Sequence, residues 1–405
     1  MPVELVATGM GVCASIGQGK GEFLQGLLNG RHSFDVMRRP GRQRDSQYLG
    51  AELPAISLPA QLAPQTLRTA SLSTQVAQTV LQEAWEEAGL SAVDPQRIGL
   101  IVGGSNVQQR ELVLVQEKYR DRPEYLRPTY ALSFMDSDIC GFCTEAFGIQ
   151  GPAYTVGGAS ASGQLAVIQA AHAVLAGQVD ACIALGPLMD LSHWECRGFR
   201  ALGAMGSDRY AEAPERACRP FDRDHDGFIF GEACAAVVIE SAQSSRLRDV
   251  RPYGALAGWS VAMDAKRSPE PSLSGEIRAI QQALQMADWA PSTVDYLNPH
   301  GSGSVVGDRV EIEALRSCGL QAAFINATKS LTGHALSAAG VVEVVATLLQ
   351  MRAGQLHPTA NLENPIDASL AWVRGEKLQH KISSALTLSI GFCGINTALC
   401  WQQRG

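Results

Sequence analysis

Positive charge is in short supply. Thirty-three lysines and arginines stand against 40 aspartates and glutamates, a formal net charge of -7. A nucleic acid as main partner needs a basic footprint, so that class is excluded. A local basic patch for an acidic carrier protein stays compatible with the count. Charge of either sign is modest, 18% against 46% hydrophobic, which excludes a disordered chain. The start, MPVELVATGMG, has an early acidic residue and no basic region ahead of its apolar residues, so it does not read as a secretory signal. No apolar run reads as a bilayer span. Ten cysteines occur, but they are scattered through apolar runs such as ACIALG and GEACAAVVIE, the pattern of buried free thiols rather than a disulfide framework. The expectation is a cytoplasmic protein with no membrane partner.

What is present is an alternation of short strands and helices. VELVATGMGVC reads as an apolar strand ending in glycines, and GEFLQGLLNG as an amphipathic helix. The polar stretch Arg38–Gln47 reads as a surface loop. Thr69–Gly89 has helical periodicity, and RIGLIVGGS is a continuous apolar run of the kind buried on both faces. YTVGG, a helix from Ser160 to about Gly177 and DACIALGP then form a βαβ unit, which implies parallel strands. ACAAVVIE ends this half near Glu240. After the polar linker AQSSRLRDVRP come YGALAGWSVAMD, a helix from Gly275 to about Met286, VDYLNPH, a helix from Asp308 to about Cys318, FINATKS, the helix through GVVEVVATLLQ, and ALTLSIGF. No short sequence period relates the halves. The economical reading is layered α/β, with two similar halves, residues 1–245 and 246–405, and two parallel-rich sheets.

Three late segments join histidine or an aromatic to glycine-rich backbone. His300 opens NPHGSGS, Lys329 and His334 lie in KSLTGHALSAAG, and Phe392 lies in SIGFCGIN. Ligands of open α/β sheets gather at the carboxyl ends of strands, so these segments and Ser160 are candidates to face one pocket. Each histidine alone reads better as a core or loop residue. CGFC, Cys140–Cys143, has CxxC spacing without a partner pair, so structural thiols outweigh metal or redox chemistry. DRDHDG, Asp222–Gly227, lacks the distal glutamate of a calcium loop and reads as a turn with a solvated charge cluster. GASAS fails as a serine-hydrolase elbow, because Ser162 occupies its last glycine position.

Taken together, VATGMGVCASIG, RPFDRDHDGFIFGEACAAVVIE, HGSGS, KSLTGHALSAAG, HPTANLENP and GFCGIN resemble the β-ketoacyl synthases, condensing enzymes of the thiolase superfamily. The resemblance covers almost the whole chain. It implies a thiolase-like α-β-α-β-α fold with mixed, largely parallel sheets, and a pocket of one cysteine and two histidines with a lysine behind one of them. By position, His300, Lys329 and His334 fill the family's motifs, and Glu343 matches its acidic residue on the following helix. Phe392, Cys393 and Phe199 are assigned to the substrate pocket, with Cys393 replacing a glycine. Ser160 falls where the family carries its acyl-accepting cysteine, after Gly157–Gly158 in place of the usual Asp-Thr or Ala-Thr.

A thiol there ionises readily from a pKa of ~8.5. A hydroxyl starts far higher, and a helix terminus worth roughly 0.3–2 kcal/mol cannot ionise it. Ser160 is therefore expected to be a poor acyl acceptor, while the histidine pair keeps the ability to stabilise an enolate. The resemblance is nearest to the serine-for-cysteine decarboxylating members of polyketide β-branching cassettes, which convert malonyl to acetyl on an acyl carrier protein. It implies Ser160, His300, His334 and Lys329 as the catalytic set, with Lys329 organising His334 or the carboxylate region. No cofactor is expected beyond the carrier's phosphopantetheine arm, which holds the substrate. A homodimer and a hydroxymethylglutaryl-synthase-like pathway partner are implied likewise. Three alternatives stay open: acyl transfer or condensation through an acyl-Ser160, whose base chain order Ser160, Asp308, His334 would permit; a silent ketosynthase partner subunit; and a thioester hydrolase.

Overall fold

The computed structural model describes residues 3–59 and 69–404. The first part of the chain supplies β1 (Leu5–Ala14), β2 (Ile98–Gly103), β3 (Ala153–Val156), β4 (Ala181–Gly186) and β5 (Ala233–Ser241). The second supplies β6 (Gly254–Met263), β7 (Tyr296–Asn298), β8 (Phe324–Ile325), β9 (Ser384–Gly391) and β10 (Ile395–Gln403). In space they run β8-β7-β9-β10-β6-β1-β5-β4-β2-β3. Counted outward from the middle, both parts follow one rule: first strand, fifth, fourth, second, third. Pairing of Val6 with Ala255 and Ala7 with Gly254 joins the sheets expected of the two halves edge to edge into one large mixed sheet. The outer pairs β4-β2-β3 and β9-β7-β8 are parallel, and the pairs toward the middle are antiparallel. Strand β10 was not anticipated. It follows β9 after a turn with left-handed Cys393 and Gly394, so two strands share what reads as one apolar run.

Strand periodicity creates the layers, because successive side chains point to opposite faces. Ala181, Ile183 and Leu185 pack with α1 (Leu72–Ala88), while Cys182 and Ala184 pack with the central helices α2 (Ser162–Leu175) and α5 (Ala339–Ala353). In the second part Leu386 and Leu388 meet α3 (Leu273–Ala287) and α4 (Gly307–Ser317), and Ala385 meets the central layer. Helix α1 starts where Ser71 Oγ accepts from Thr74 N–H at 3.1 Å and stops at left-handed Gly89. Helix α5 has no polar face: every residue from Ala339 to Met351 is buried.

Length and composition, not burial, amend one expectation. Leu336–Ala353 is long and apolar enough to cross a membrane, but 89% of it is buried inside the protein, as a core helix is. Two loop expectations also change. Within Arg38–Gln47, Arg42 is fully buried, ion-paired to Glu52, Asp190 and Glu232 at 2.8, 2.9 and 2.5 Å. Within Asp222–Gly227, Asp222 and His225 are buried rather than solvated, and Asp222 is held by Arg219 at 3.0 Å. In the first segment partners across the fold, and in the second the neighbouring Arg219 together with Asp308 against His225, replaced the water that a polar sequence suggests. Cys140 and Cys143 are buried on one helix, Ser137–Phe147, and burial pushes the Cys140 thiol up to about 11. The Thr69–Gly89 expectation holds from Leu72 onward.

Candidate active site

Strand β3 ends at Val156, and the chain then makes a single 3-10 turn, Ala159–Ala161, before entering α2 at Ser162. The helix thus begins two residues later than the sequence suggests. Ala159 takes a left-handed φ of 48°, a conformation that non-glycine residues adopt at a cost of order 1–3 kcal/mol. The turn is fixed by Ser162, whose Oγ accepts from Gly158 N–H at 2.8 Å and donates to Ala159 O at 2.7 Å. Ser162 is committed to the backbone; Ser160 is the side chain the elbow presents.

The second part of the chain repeats the device. A 3-10 turn at Leu336–Ala338 leads into α5, and Leu336 has φ 51°. The two helices enter the core past each other at close range. A Cβ on Gly163 would stand 2.8 Å from Val341 N, and one on Gly340 would stand 2.7 Å from Gln164 N. Ser337 is the counterpart of Ser160, and its buried Oγ has no hydrogen-bond partner among the described residues. ASASG and LSAAG carry this repeat, too short for a period to reveal.

His334 sits just ahead of that second turn. Its backbone N–H donates to Ile229 O at 2.7 Å, and its carbonyl accepts from Gly231 N–H at 3.1 Å. Gly231 is required there, since a Cβ would lie 1.9 Å from Thr332 O. The DGFIFGE segment therefore acts as a brace for His334, and Phe228 packs edge-on to its ring at 5.3 Å. Sequence reasoning missed Phe228. The alternation of apolar residues just after the charged turn was its only signal.

The hydrogen bonds fix the tautomer of His334. Leu336 N–H donates to Nδ1 at 3.2 Å, so Nδ1 is the acceptor and Nε2 carries the proton. Nε2 lies 2.9 Å from Ser160 Oγ. The histidine is accordingly a donor toward Ser160, not a base that can take its proton. Burial, assisted by the Lys329 charge, holds His334 well below the usual imidazole range, so it stays neutral.

His300 follows β7, with its ring 5.3 Å from that of His334. Its backbone N–H and that of Gly301 donate to Glu311 at 2.6 and 2.8 Å. Lys329 Nζ lies 3.5 Å from His300 Nδ1, donates to the His300 carbonyl, and ion-pairs with Glu343. Lys329 thus stands behind His300; the expected service to His334 is corrected. A cation facing Nδ1 leaves the His300 proton on Nε2, and burial with the Lys329 and His334 neighbours holds this imidazole neutral as well. Two imidazole N–H donors result. Burial pushes the Glu343 carboxyl up to about 7 against the pull of Lys329, and the Glu311 carboxyl up to about 8.

These groups line a cavity of about 130 Å³. Ser160, His300, His334, Phe199 and Phe392 all face it, as do Met189 and Ser302. Phe199 and Phe392 pack at 6.3 Å between ring centroids. Cys393 does not line the cavity: it is exposed, with φ 67°, and its N–H donates to Ser268 O. Its assignment to the substrate pocket is corrected, because the turn that presents Phe392 swings the next side chain outward. Asp308 accepts from Phe221 and Gly303 N–H at 2.6 and 3.0 Å and contacts His225, not His334. Chain order suggested a serine triad, and the geometry removes it.

Known proteins are similar to this chain in sequence and share its fold. Residues 4–245 match the Beta-ketoacyl synthase, N-terminal domain family, and residues 253–363 match its C-terminal domain family. The chain is 58% identical over 399 residues to a Bacillus subtilis protein named polyketide biosynthesis malonyl-ACP decarboxylase PksF, covering 98% of this chain and 96% of that one. It is 28% identical to 3-oxoacyl-[acyl-carrier-protein] synthase 2 of Coxiella burnetii, over 98% and 97% of the two chains. A Burkholderia phymatum beta-ketoacyl synthase superposes with a TM-score of 0.92 at 25% identity, over the whole of both chains. AntDE:AntF, a type II PKS acyl-carrier protein in complex with its ketosynthase bound to the hexaketide, gives a TM-score of 0.88 at 27% identity, again over both whole chains. With its elbow serine, paired imidazoles and buried lysine accounted for, the chain belongs to the β-ketoacyl synthase family.

Proposed function

We propose that this enzyme decarboxylates malonyl-acyl carrier protein to acetyl-acyl carrier protein in polyketide biosynthesis, without forming a carbon-carbon bond. The observation that carries the reading is the direction of one hydrogen bond. His334 accepts at Nδ1 and donates at Nε2, so it cannot serve as base to Ser160, and Ser160 meets no other base among the described residues. What the site keeps is a pair of neutral N–H donors on His334 and His300, suited to a thioester oxygen as it becomes an enolate oxygen. Donors aimed at developing charge are each worth ~3–4 kcal/mol of barrier. Phe392 and Phe199 offer the malonyl carboxylate an apolar wall and favour its departure as neutral carbon dioxide. Lys329, paired with Glu343, orients His300 and keeps its proton on the pocket side. The 58% identity to PksF supports the same substrate and reaction.

The substrate arrives on a carrier protein, as the AntDE:AntF complex exemplifies for a relative. The acetyl product would pass to a hydroxymethylglutaryl-synthase-like partner for β-branching. Strand β3 lies at the end of the sheet with one free side among the described residues, which supports pairing of two copies of the chain. Malonyl-loaded carrier protein, incubated with the enzyme and weighed by mass spectrometry, tests the reading. Loss of carbon dioxide by wild type, abolished in His300→Ala and retained in Ser160→Cys, is expected. An acyl adduct on Ser160, or free acid instead of acetyl-carrier product, would overturn it.

A further inference from the structure

Decarboxylation leaves an enolate that must gain a proton at carbon, and the cavity holds no ordinary acid for that step. Its lining contains no carboxyl, lysine, tyrosine or cysteine. Both imidazoles are held neutral by burial and the Lys329 charge, and both rings line the cavity, so their single N–H groups are the donors available to the thioester oxygen. Hydroxyl groups are what is left. Ser162 is spent, since it donates to Ala159 O. Ser302 and Ser304 each accept from backbone N–H groups of their own loop. Ser105 and Ser337 also line the cavity, and Ser337 Oγ has no partner among the described residues. Of the lining hydroxyls, Ser160 is the one bonded to an imidazole of the pair: its oxygen lies 2.9 Å from His334 Nε2 and accepts there. Its own hydrogen is therefore directed away from His334.

We infer that Ser160 is the general acid that protonates the acetyl-thioester enolate at carbon, an inference that rests on the decarboxylation reading above. On binding, the thioester oxygen replaces Ser160 Oγ as acceptor of the His334 Nε2–H bond. The two oxygens thus exchange one donor, which leaves the Ser160 hydroxyl beside the carbon skeleton attached to that oxygen. The bond between the carboxyl carbon and C2 breaks, carbon dioxide leaves, and its electron pair becomes the enolate. The Ser160 O–H bond then breaks, C2 gains the proton, and the thioester carbonyl reforms. The alkoxide left on Oγ is again within reach of His334 Nε2–H, and it takes back a proton from solvent water. The step is downhill, because the α-carbanion of a thioester is a stronger base than an alkoxide. Serine at the elbow is then a gain for this reaction: it is a proton source that a thioester does not readily acylate.

The test separates proton placement from carbon dioxide release. Malonyl-carrier protein labelled stereospecifically with tritium at C2, turned over in deuterated water, yields an acetyl methyl group bearing all three hydrogen isotopes. Wild type should deliver deuterium to one face and give one handedness. Ser160→Ala should give a racemic methyl in whatever acetyl-carrier product it forms, since water then protonates from either face. A racemic product from wild type overturns the inference without need of a variant. Undiminished handedness in Ser160→Ala overturns it too, while leaving decarboxylation intact. Absence of carbon dioxide release from wild type instead removes the reading beneath it, and the inference with it.

Discussion

At the residue scale, charge state decides the chemistry. Both imidazoles have pKa values depressed by burial and by Lys329, so the neutral donor form prevails above those lowered values. The imidazoles should accordingly add no inflection to the rate of carbon dioxide release at 6.5, their ordinary value, and should protonate only well below it. A change between about 7 and 8 belongs to the raised Glu343 and Glu311 carboxyls. A pH–rate profile with a midpoint at 6.5 would contradict the assignment. Lys329→Met leaves Glu343 buried without its cation and His300 without its orienting charge. Loss of one partner of a buried pair costs roughly 3–5 kcal/mol, so a marked fall in thermal midpoint is expected together with near-complete loss of decarboxylation. Lys329→Met/Glu343→Gln should regain part of the stability and none of the activity, which separates the two roles.

At the element scale, the site depends on two helices entering one layer by matching turns. Gly163 and Gly340 permit that approach, each facing a backbone nitrogen of the opposite helix. Gly340→Ala places a methyl 2.7 Å from Gln164 N, so the helices must move apart. Overpacking of this kind costs about 1–3 kcal/mol, read as a lowered melting temperature. The shift also parts Ser160 from His334, because each elbow leads straight into one of these helices. Activity should fall further than stability alone explains, measurable well below the melting transition.

At the scale of the whole molecule, Ser160 comes from the first part of the chain and His300, Lys329, His334 and Phe392 from the second. The two parts share the central core of α2 and α5 and the β1–β6 pairing. Unfolding should therefore appear in calorimetry as one transition; two resolved transitions would show that the parts fold independently. Arg42 ties the Arg38–Gln47 segment to Asp190 and Glu232 across the fold. Arg42→Met strands these buried carboxylates and should lower the midpoint by the equivalent of about 3–5 kcal/mol. Added salt should do little to the wild-type network, since buried pairs are weakly screened.

Much of this was legible in the chain. Alternating apolar runs fixed the strands and layers, because side-chain period follows from local backbone geometry. The order of HGSGS, KSLTGH and GFCGIN fixed the family and brought forward Ser160, His300, Lys329, His334 and Phe392. Several matters needed the tertiary structure. It decided that Lys329 serves His300, that Cys393 points outward, that Phe228 walls the cavity, and that Arg42 is buried. It also decided which nitrogen of His334 holds the proton, through a backbone N–H two residues away. These facts depend on directions and distances between atoms far apart in sequence or set by a strained turn, which residue types and spacing do not encode. Sequence alone determined that a serine stands at the elbow; only the fold determined that His334 meets it as a donor rather than as a base.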